Sequence, residues 1–340
     1  MKTVVLEKPG VLRLTDAEPP GPPGPTEAVV RVHRVGICGT DLHAFEGKQS
    51  FFSYPRILGH ELGVEVVALG AAARELGLQE GDRCAVEPYL NCGRCSACRR
   101  GRPNCCLSLE VLGVQTDGGM RELVKVPASK LHPSRQLSYD ELALVETLCI
   151  GSHAASRAGL QPPETVLVIG AGPIGLAVIQ AVQAVGLSPI VMEIVDSRLE
   201  FCRRELGVEL TVDGRRGVED QLRSLLAGEL PTVVFDATGS AASMMAAFRY
   251  VAHGGRLIFV GLYRGDITFH DPDFHLRELT LYASRNATAA DFCRVMAAVE
   301  AGRVNLRPWI THRSTPECIP SEFSRWLDPS SGVIKAVLEM

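Results

Sequence analysis

Long hydrophobic runs are missing from this 340-residue chain. A helix needs about 18 consecutive apolar residues to cross a bilayer, and no such stretch occurs. The first ten residues, MKTVVLEKPG, hold no extended apolar segment, so no secretory leader is expected there. An excess of charge of one sign is also missing. The formal net charge of −4 excludes a broad basic surface for nucleic acid and an acidic, solvating tail. No internal repeat is visible. What is present is a globular composition, 46% hydrophobic and 22% charged, long enough for about two domains. Cysteine breaks the pattern of scarcity. Eleven, where no leader is expected, point to metal ligation rather than disulfides.

The most informative stretch is residues 166–186, VLVIGAGPIGLAVIQAVQAVG. Val166–Ile169 reads as a buried strand, and Gly170, Gly172 and Gly175 follow at G-x-G-x-x-G spacing. Pro173, Ile174 and a run of Ala, Val, Ile, Leu and Gln carry a helix to Gly186, a residue suited to ending it. That strand–turn–helix context is the one in which the pattern binds a dinucleotide. The first glycine permits the tight turn, the second lets backbone approach a pyrophosphate, and the third lets helix and strand pack closely. The phosphates rest on free N–H groups at the positive end of the helix. Residues 188–192 read as the next strand. Glu193 ends it, 18 residues past Gly175, where a carboxylate suits a ribose diol and repels a 2′-phosphate. NAD is therefore expected over NADP, with Arg198 close enough in sequence to reach the same ribose. The plainer alternative is an ordinary βα turn with a solvated glutamate.

Upstream, GICGTDLH at 36–43 supplies Cys38, Thr40, Asp41 and His43, and Gly59-His60-Glu61 follows. Cys, His and Glu are donors of a zinc site that keeps one position open, and ligands from separate segments are usual where zinc is catalytic. Asp41 can fix a ligand imidazole from outside. Taken singly, Cys38 reads equally well as a buried small hydrophobe and His60 as a turn histidine. Next, NCGRCSACRRGRPNCC places Cys92, Cys95, Cys98 and Cys106 at C-x2-C-x2-C-x7-C spacing. Four thiolates in one short lobe make a closed, structural zinc site, although iron–sulfur clusters use similar runs and Cys105 could exchange with Cys106. A nucleic-acid zinc ribbon is the rival reading, disfavoured by the negative net charge and the few aromatics nearby.

The middle of the chain alternates strands and helices, as in a doubly wound parallel sheet. Strands are expected at 233–235, 256–260 and Thr280–Ala283, and Asp196 is expected to N-cap a helix that Gly207 ends. Turns at Thr238, at Gly261 and at Ser284-Arg285-Asn286 then reach the cofactor crevice; for Thr238, simple turn chemistry is the alternative. At the N-terminus, a hairpin turning at Pro9-Gly10 leads through the polyproline connector PPGPPGP to strands at 28–35 and 64–69. The tail should hold an amphipathic helix, DFCRVMAAVEAG, and a strand at 333–338. Cys84, Cys149, Cys202 and Cys293 read as core residues, as does His153, while His270 and His275 read as surface.

GICGTDLH, YPRILGHE, the four-cysteine lobe and the dinucleotide fingerprint, in this order over essentially the whole chain, resemble the zinc-dependent medium-chain alcohol dehydrogenases. Within that superfamily the chain is similar to the polyol and sugar-acid branch of sorbitol, threonine and galactonate dehydrogenases. FFSYPRILGHE and DPDFHLRELTLYASRNAT look most like the L-galactonate and L-gulonate 5-dehydrogenases. The resemblance implies an α/β fold in which a Rossmann doubly wound parallel sheet (150–285) is inserted in a GroES-like β-rich catalytic domain (1–149, with return at 286–340).

The same resemblance implies two zinc ions per chain. One, catalytic, lies at Cys38, His60 and either Glu61 or Glu146, the latter in LVETLCIGSHA at the place of a cysteine ligand elsewhere in the superfamily. The other, structural, lies at Cys92, Cys95, Cys98 and Cys106. Thr40 matches the hydroxyl that relays the alcohol proton through the cofactor ribose, and His43 the outer end of that relay. The implied reaction is NAD-dependent oxidation of a secondary alcohol of a sugar acid. Polyol or L-threonine oxidation is the alternative, and a non-catalytic zinc- and cofactor-binding protein the reading from another class. Arg285 with Asn286, and His275 in reserve, are candidates for the acid end of the substrate. A cytoplasmic homo-oligomer, dimer or tetramer, with no nucleic-acid or membrane partner completes the expectation. Two departures bear on substrate fit but remove no ligand: Val64 stands where the superfamily has glycine, with Gly63 one place earlier, and Thr147 stands where the branch often has proline.

Overall fold

The computed structural model describes residues 1–49 and 52–340; Phe51, the first residue of FFSYPRILGHE, lies outside the described residues. The chain divides into one unit of Met1–Glu146 with Thr288–Met340 and another of Thr147–Ala287. The first division falls inside the helix Tyr139–Ala158.

In the first unit the spine is the strand Glu27–Gly36, whose Ala28, Val30 and Val32 are buried in the core. It pairs antiparallel with Glu61–Leu69, Leu123–Pro127 and Lys335–Glu339. Arg83–Val86, Leu131–Pro133 and Ile310–Ser314 complete a seven-stranded sheet. Two boundaries differ from expectation in ways that matter below. The strand expected at 64–69 starts at Glu61, because its partner continues far enough to set Gly36 opposite Glu61. The last strand is Lys335–Glu339 rather than 333–338. The N-terminal hairpin forms as Lys2–Lys8 and Val11–Asp16. A two-stranded ribbon, Tyr89–Leu90 with Glu110–Val111, brackets the cysteine lobe.

The second unit holds six parallel strands: Leu210–Asp213, Pro189–Glu193, Val166–Ile169, Val233–Asp236, Arg256–Phe259 and Thr280–Ala283, in that spatial order. Numbered along the chain this is 3-2-1-4-5-6, the Rossmann arrangement with its switch point beside the first strand. The central strand VLVI is buried throughout, as a parallel strand covered on both faces must be. The expected doubly wound parallel sheet in one unit and a β-rich other unit, the first inserted in the sequence of the second, are thus borne out.

Two local expectations are corrected. Asp196 is the first residue of the helix Asp196–Leu206, not its N-cap. Val195 takes the extended N-cap conformation, and the Asp196 carboxylate turns instead to Arg215 at 2.8 Å. Cys293 is exposed. On its helix, Ala289–Glu300, the inward face is Phe292, Val295, Met296 and Val299. Cys84, Cys149 and Cys202 are buried. Among the described residues no helix is long and apolar enough to cross a membrane.

Candidate active site and metal centres

In the first unit, the short helix Gly39–Phe45 and the start of the strand Glu61–Leu69 bring distant donors together. Cys38 stands at the N-cap of that helix, and its N–H donates to Asp41 Oδ2 at 2.9 Å. Asp41 is fully buried, and its other oxygen lies 3.8 Å from His60 Nδ1. The Cys38 sulfur, a His60 nitrogen and a Glu61 oxygen all lie within 4.8 Å of one another. Burial works against an imidazolium, yet Cys38 and Asp41 outweigh it and hold His60 well above its ordinary value. Burial pushes the Asp41 carboxyl up. His60 Nδ1 and Asp41 Oδ1 are buried without hydrogen-bond partners. A soft thiolate, an imidazole and a carboxylate crowded in a buried place, with polar atoms unsatisfied, fit a zinc ion. Thr40 is half-buried and His43, one helical turn on, is exposed.

Glu61 needs room, and Gly36 provides it. Directly opposite residues of an antiparallel pair project to the same face, so the Glu61 side chain leans over Gly36. A Cβ on Gly36 would stand 2.1 Å from Glu61 Oε2. Lys335, from the last strand, donates to both Glu61 oxygens at 2.7 and 2.8 Å and to the Ile37 carbonyl at 3.3 Å. Burial alone would lower the Lys335 ammonium, but the Glu61 carboxylate outweighs it and raises it. Glu146 does not join the three-donor group. It is buried on the helix Tyr139–Ala158, and the Tyr89 hydroxyl donates to its Oε1. Burial pushes its carboxyl up. Sequence reasoning missed Lys335 and Tyr89. The signal for Lys335 was available: a lysine flanked by apolar residues in GVIKAVLEM is buried only if paired.

The second donor group is Cys92, Cys95, Cys98 and Cys106. Cys105 is exposed and outside it. Backbone N–H groups point at the sulfurs, Cys92 N to Cys106 at 3.2 Å, Ser108 N to Cys106 at 3.4 Å and Cys98 N to Cys95 at 3.5 Å. Donors from Cys98 and Leu107 bring the Cys95 thiol down to about 6. A thiolate-favouring cage of four sulfurs fits a closed zinc site. Asn91 ties it to the body, donating to Cys98 Sγ at 3.7 Å and accepting from Lys130 at 3.0 Å.

In the second unit, the fingerprint turn leads into the helix Pro173–Ala184 with Gly172 at its N-cap and Pro173 at its first position. A Cβ on Gly175 would lie 1.8 Å from the Gly170 carbonyl, so only glycine permits this approach of helix to strand. Ile174 follows Pro173 in the first turn. Glu193 is buried at the end of the second strand. Its Oε2 accepts from Ala171 N at 2.8 Å, and its Oε1 from Ile194 N and Val195 N at 2.6 and 3.1 Å. Three of its roughly four acceptor positions are taken, leaving about one for a ribose hydroxyl. Arg198 Nη1 is 3.9 Å from the same carboxylate. The Thr238 hydroxyl donates to buried Asp236 at 2.7 Å and accepts from Ser240 N at 3.1 Å, which is turn chemistry. Arg285 is exposed just past the sixth strand. Asn286 adopts φ 53°, and its Nδ2, like Ser284 Oγ, is buried without a partner. His270 and His275 are exposed on or beside the helix Asp271–Leu276, while His153 is buried.

Two zinc-type centres and a Rossmann fingerprint define a metal-dependent dehydrogenase architecture, and comparison with known proteins agrees. The alcohol dehydrogenase GroES-like domain matches over residues 24–136 and the zinc-binding dehydrogenase family over 173–301. The chain belongs to the zinc-binding alcohol dehydrogenases and is an enzyme of that type. It is 38% identical over 338 residues to L-galactonate-5-dehydrogenase of Escherichia coli K12, spanning 99% of this chain and 98% of that one. It is 31% identical over 324 residues to L-threonine 3-dehydrogenase of Pyrococcus horikoshii, spanning 92% and 91%. A crystal structure from E. coli CFT073, described as a short chain alcohol dehydrogenase (RspB) complexed with NADH, superposes with a TM-score of 0.91 at 28% identity, covering 100% of this chain and 99% of that one.

Proposed function

We propose that the enzyme oxidises a secondary alcohol of a sugar acid, of the L-galactonate or L-gulonate type, to the keto acid with NAD. The observation that carries this reading is the 38% identity to L-galactonate-5-dehydrogenase along nearly the whole chain. Cys38 and His60, with the Glu61 carboxylate, would hold one zinc, and Cys92, Cys95, Cys98 and Cys106 another. When bound, zinc supplies Lewis acidity at an alcohol oxygen and NAD accepts the hydride. The residues around them handle the proton. Thr40 accepts it from the alcohol, and His43, exposed on the same helix, passes it to water. Asp41 orients the His60 ring from behind. Glu193 selects a free ribose diol and so favours NAD over NADP.

A sugar acid also needs a cation for its carboxylate, and Arg285 offers the planar, bidentate fork suited to it. Arg285→Ala should depress kcat/KM on an aldonate far more than on the matching uncharged alditol; equal losses would remove Arg285 from substrate recognition. L-Threonine oxidation is the second reading, favoured by the relative that is 31% identical. A panel of aldonates, alditols and L-threonine, each with NAD and NADP, tests the proposal directly. Threonine as the best substrate would overturn it. Eleven free cysteines suit a reducing compartment, so the proposal includes the cytoplasm, and a homo-oligomer whose size light scattering would give.

A further inference from the structure

We propose that Lys335 is a positioning residue for the metal centre: its ammonium shares the Glu61 carboxylate with the metal, and so keeps a coordination place open for the substrate oxygen. The proposal rests on the reading of Cys38, His60 and Glu61 as metal donors.

The geometry is specific. Lys335 Nζ has three protons and three acceptors, the two Glu61 oxygens and the Ile37 carbonyl. The side chains of both ion-pair partners are 1% exposed, so water does not dilute their attraction. The same carboxylate has an oxygen within 4.8 Å of the Cys38 sulfur and the His60 ring. Glu61 thus stands between two cationic claims, one fixed in the protein and one for the ion. A thiolate and an uncommitted carboxylate would together cancel the charge of a divalent ion and weaken its pull on a substrate oxygen. A carboxylate already paired with an ammonium donates less. The empty space over Gly36 is filled by that carboxylate, which gives it a place beside Lys335 rather than only beside the metal. Lys335 reaches this place because the returning strand is locked to the same spine, with Ile37 N donating to Ala336 O at 2.9 Å and Val337 opposite Gly36. A purely structural role, in which Lys335 only neutralises a buried acid, is the competing account.

The experiment uses the full-length protein loaded with zinc, or with cobalt(II) in its place, without cofactor or substrate. Zinc loss to a chelator is followed for the unmodified protein, Lys335→Met, Lys335→Arg and Glu61→Gln, and Cys38→Ser identifies which phase belongs to this centre. Lys335→Met frees Glu61 to close on the metal, so zinc should leave more slowly than from the unmodified protein, the opposite of the loss of affinity that follows when a merely supporting partner of a metal ligand is removed. The visible absorption of the cobalt form should change with the added ligand, and Lys335→Arg should stay near the unmodified protein. Zinc leaving Lys335→Met at the original rate or faster would overturn the proposal. Should Lys335→Met fail to fold, Glu61→Gln decides: faster zinc loss and an altered cobalt spectrum support a shared carboxylate, and no change in either refutes it. If Cys38→Ser keeps its full zinc content, the reading of the centre fails and the proposal with it. If Cys38→Ser loses one zinc while Lys335→Met behaves as the unmodified protein, the role of Lys335 alone fails.

Discussion

Gly36→Ala is the smallest change that reaches the metal centre, since it adds one methyl group to a strand residue that is not itself a donor. The added Cβ would stand 2.1 Å from Glu61 Oε2 and 2.9 Å from Glu61 Cβ, where ordinary contact begins near 3.4 Å. The carboxylate must withdraw by more than an ångström, and it cannot keep both its 2.7 and 2.8 Å bonds to Lys335 while doing so. Overpacking alone costs about 1–3 kcal/mol. Separating a buried ion pair costs about 3–5 kcal/mol, so the second effect should dominate. In a unit of this size that lowers the melting temperature by roughly 6–20 °C. Gly21→Ala is the control, because nothing lies within 4 Å of its added Cβ, and such a surface change stays within about 0.5 kcal/mol. The assay is thermal melting of both variants beside the unmodified protein, with zinc content measured on each. If Gly36→Ala melts together with Gly21→Ala and keeps its zinc, the claimed contact between Gly36 and Glu61 is wrong.

Metal analysis should find two zinc ions per chain. Cys38→Ser should abolish turnover and leave the fold, whereas Cys95→Ser should lower the melting temperature, because a closed structural zinc contributes folding energy directly. Glu193→Ala should relax the preference for NAD, read as the ratio of kcat/KM for NAD and NADP, and should cost about 1–3 kcal/mol by leaving the buried Ala171 N–H unpaired. An unmodified enzyme that used both cofactors equally would contradict the role given to Glu193. Burial would raise the Glu87 carboxyl from 4.5, but hydrogen bonds from His132 and Lys130 outweigh it and hold the group lower. A carboxyl depressed in the folded state stabilises above its unfolded value and loses that contribution as pH falls through its folded one. The melting-temperature gap between the unmodified protein and Glu87→Gln should therefore be present near neutral pH and shrink in acid. A gap undiminished in acid would show that the pair adds nothing.

Local spacing was enough to read the dinucleotide fingerprint, the alternation of strands and helices around it and the cysteine lobe. In each, the residues that must meet lie within a few turns of chain. Short-range geometry carries Gly175 against Gly170 and one cysteine sulfur to the next almost whatever the rest of the molecule does. The segments with Cys38 and His60 were legible as donors for the same reason, because residue type and flanking glycines mark them. Spacing alone left Cys105 able to exchange with Cys106; the family pattern favoured Cys106, and in the fold Cys106 is buried within the four-sulfur group while Cys105 is exposed outside it.

The state of the carboxylates was decided by tertiary structure. Whether Glu61 faces Gly36 depends on the register of two strands, and a shift of one residue would send its side chain to the opposite face. Lys335 meets Glu61 across 274 positions, through a strand that returns to the sheet from the far end of the chain. Tyr89 claims Glu146 from a ribbon in one part of the unit against a helix in another. Sequence specifies each of these residues, but a buried charge takes its partner from whatever the packed chain brings within about 3 Å, and that meeting is a property of strand pairing and helix placement rather than of any stretch read alone.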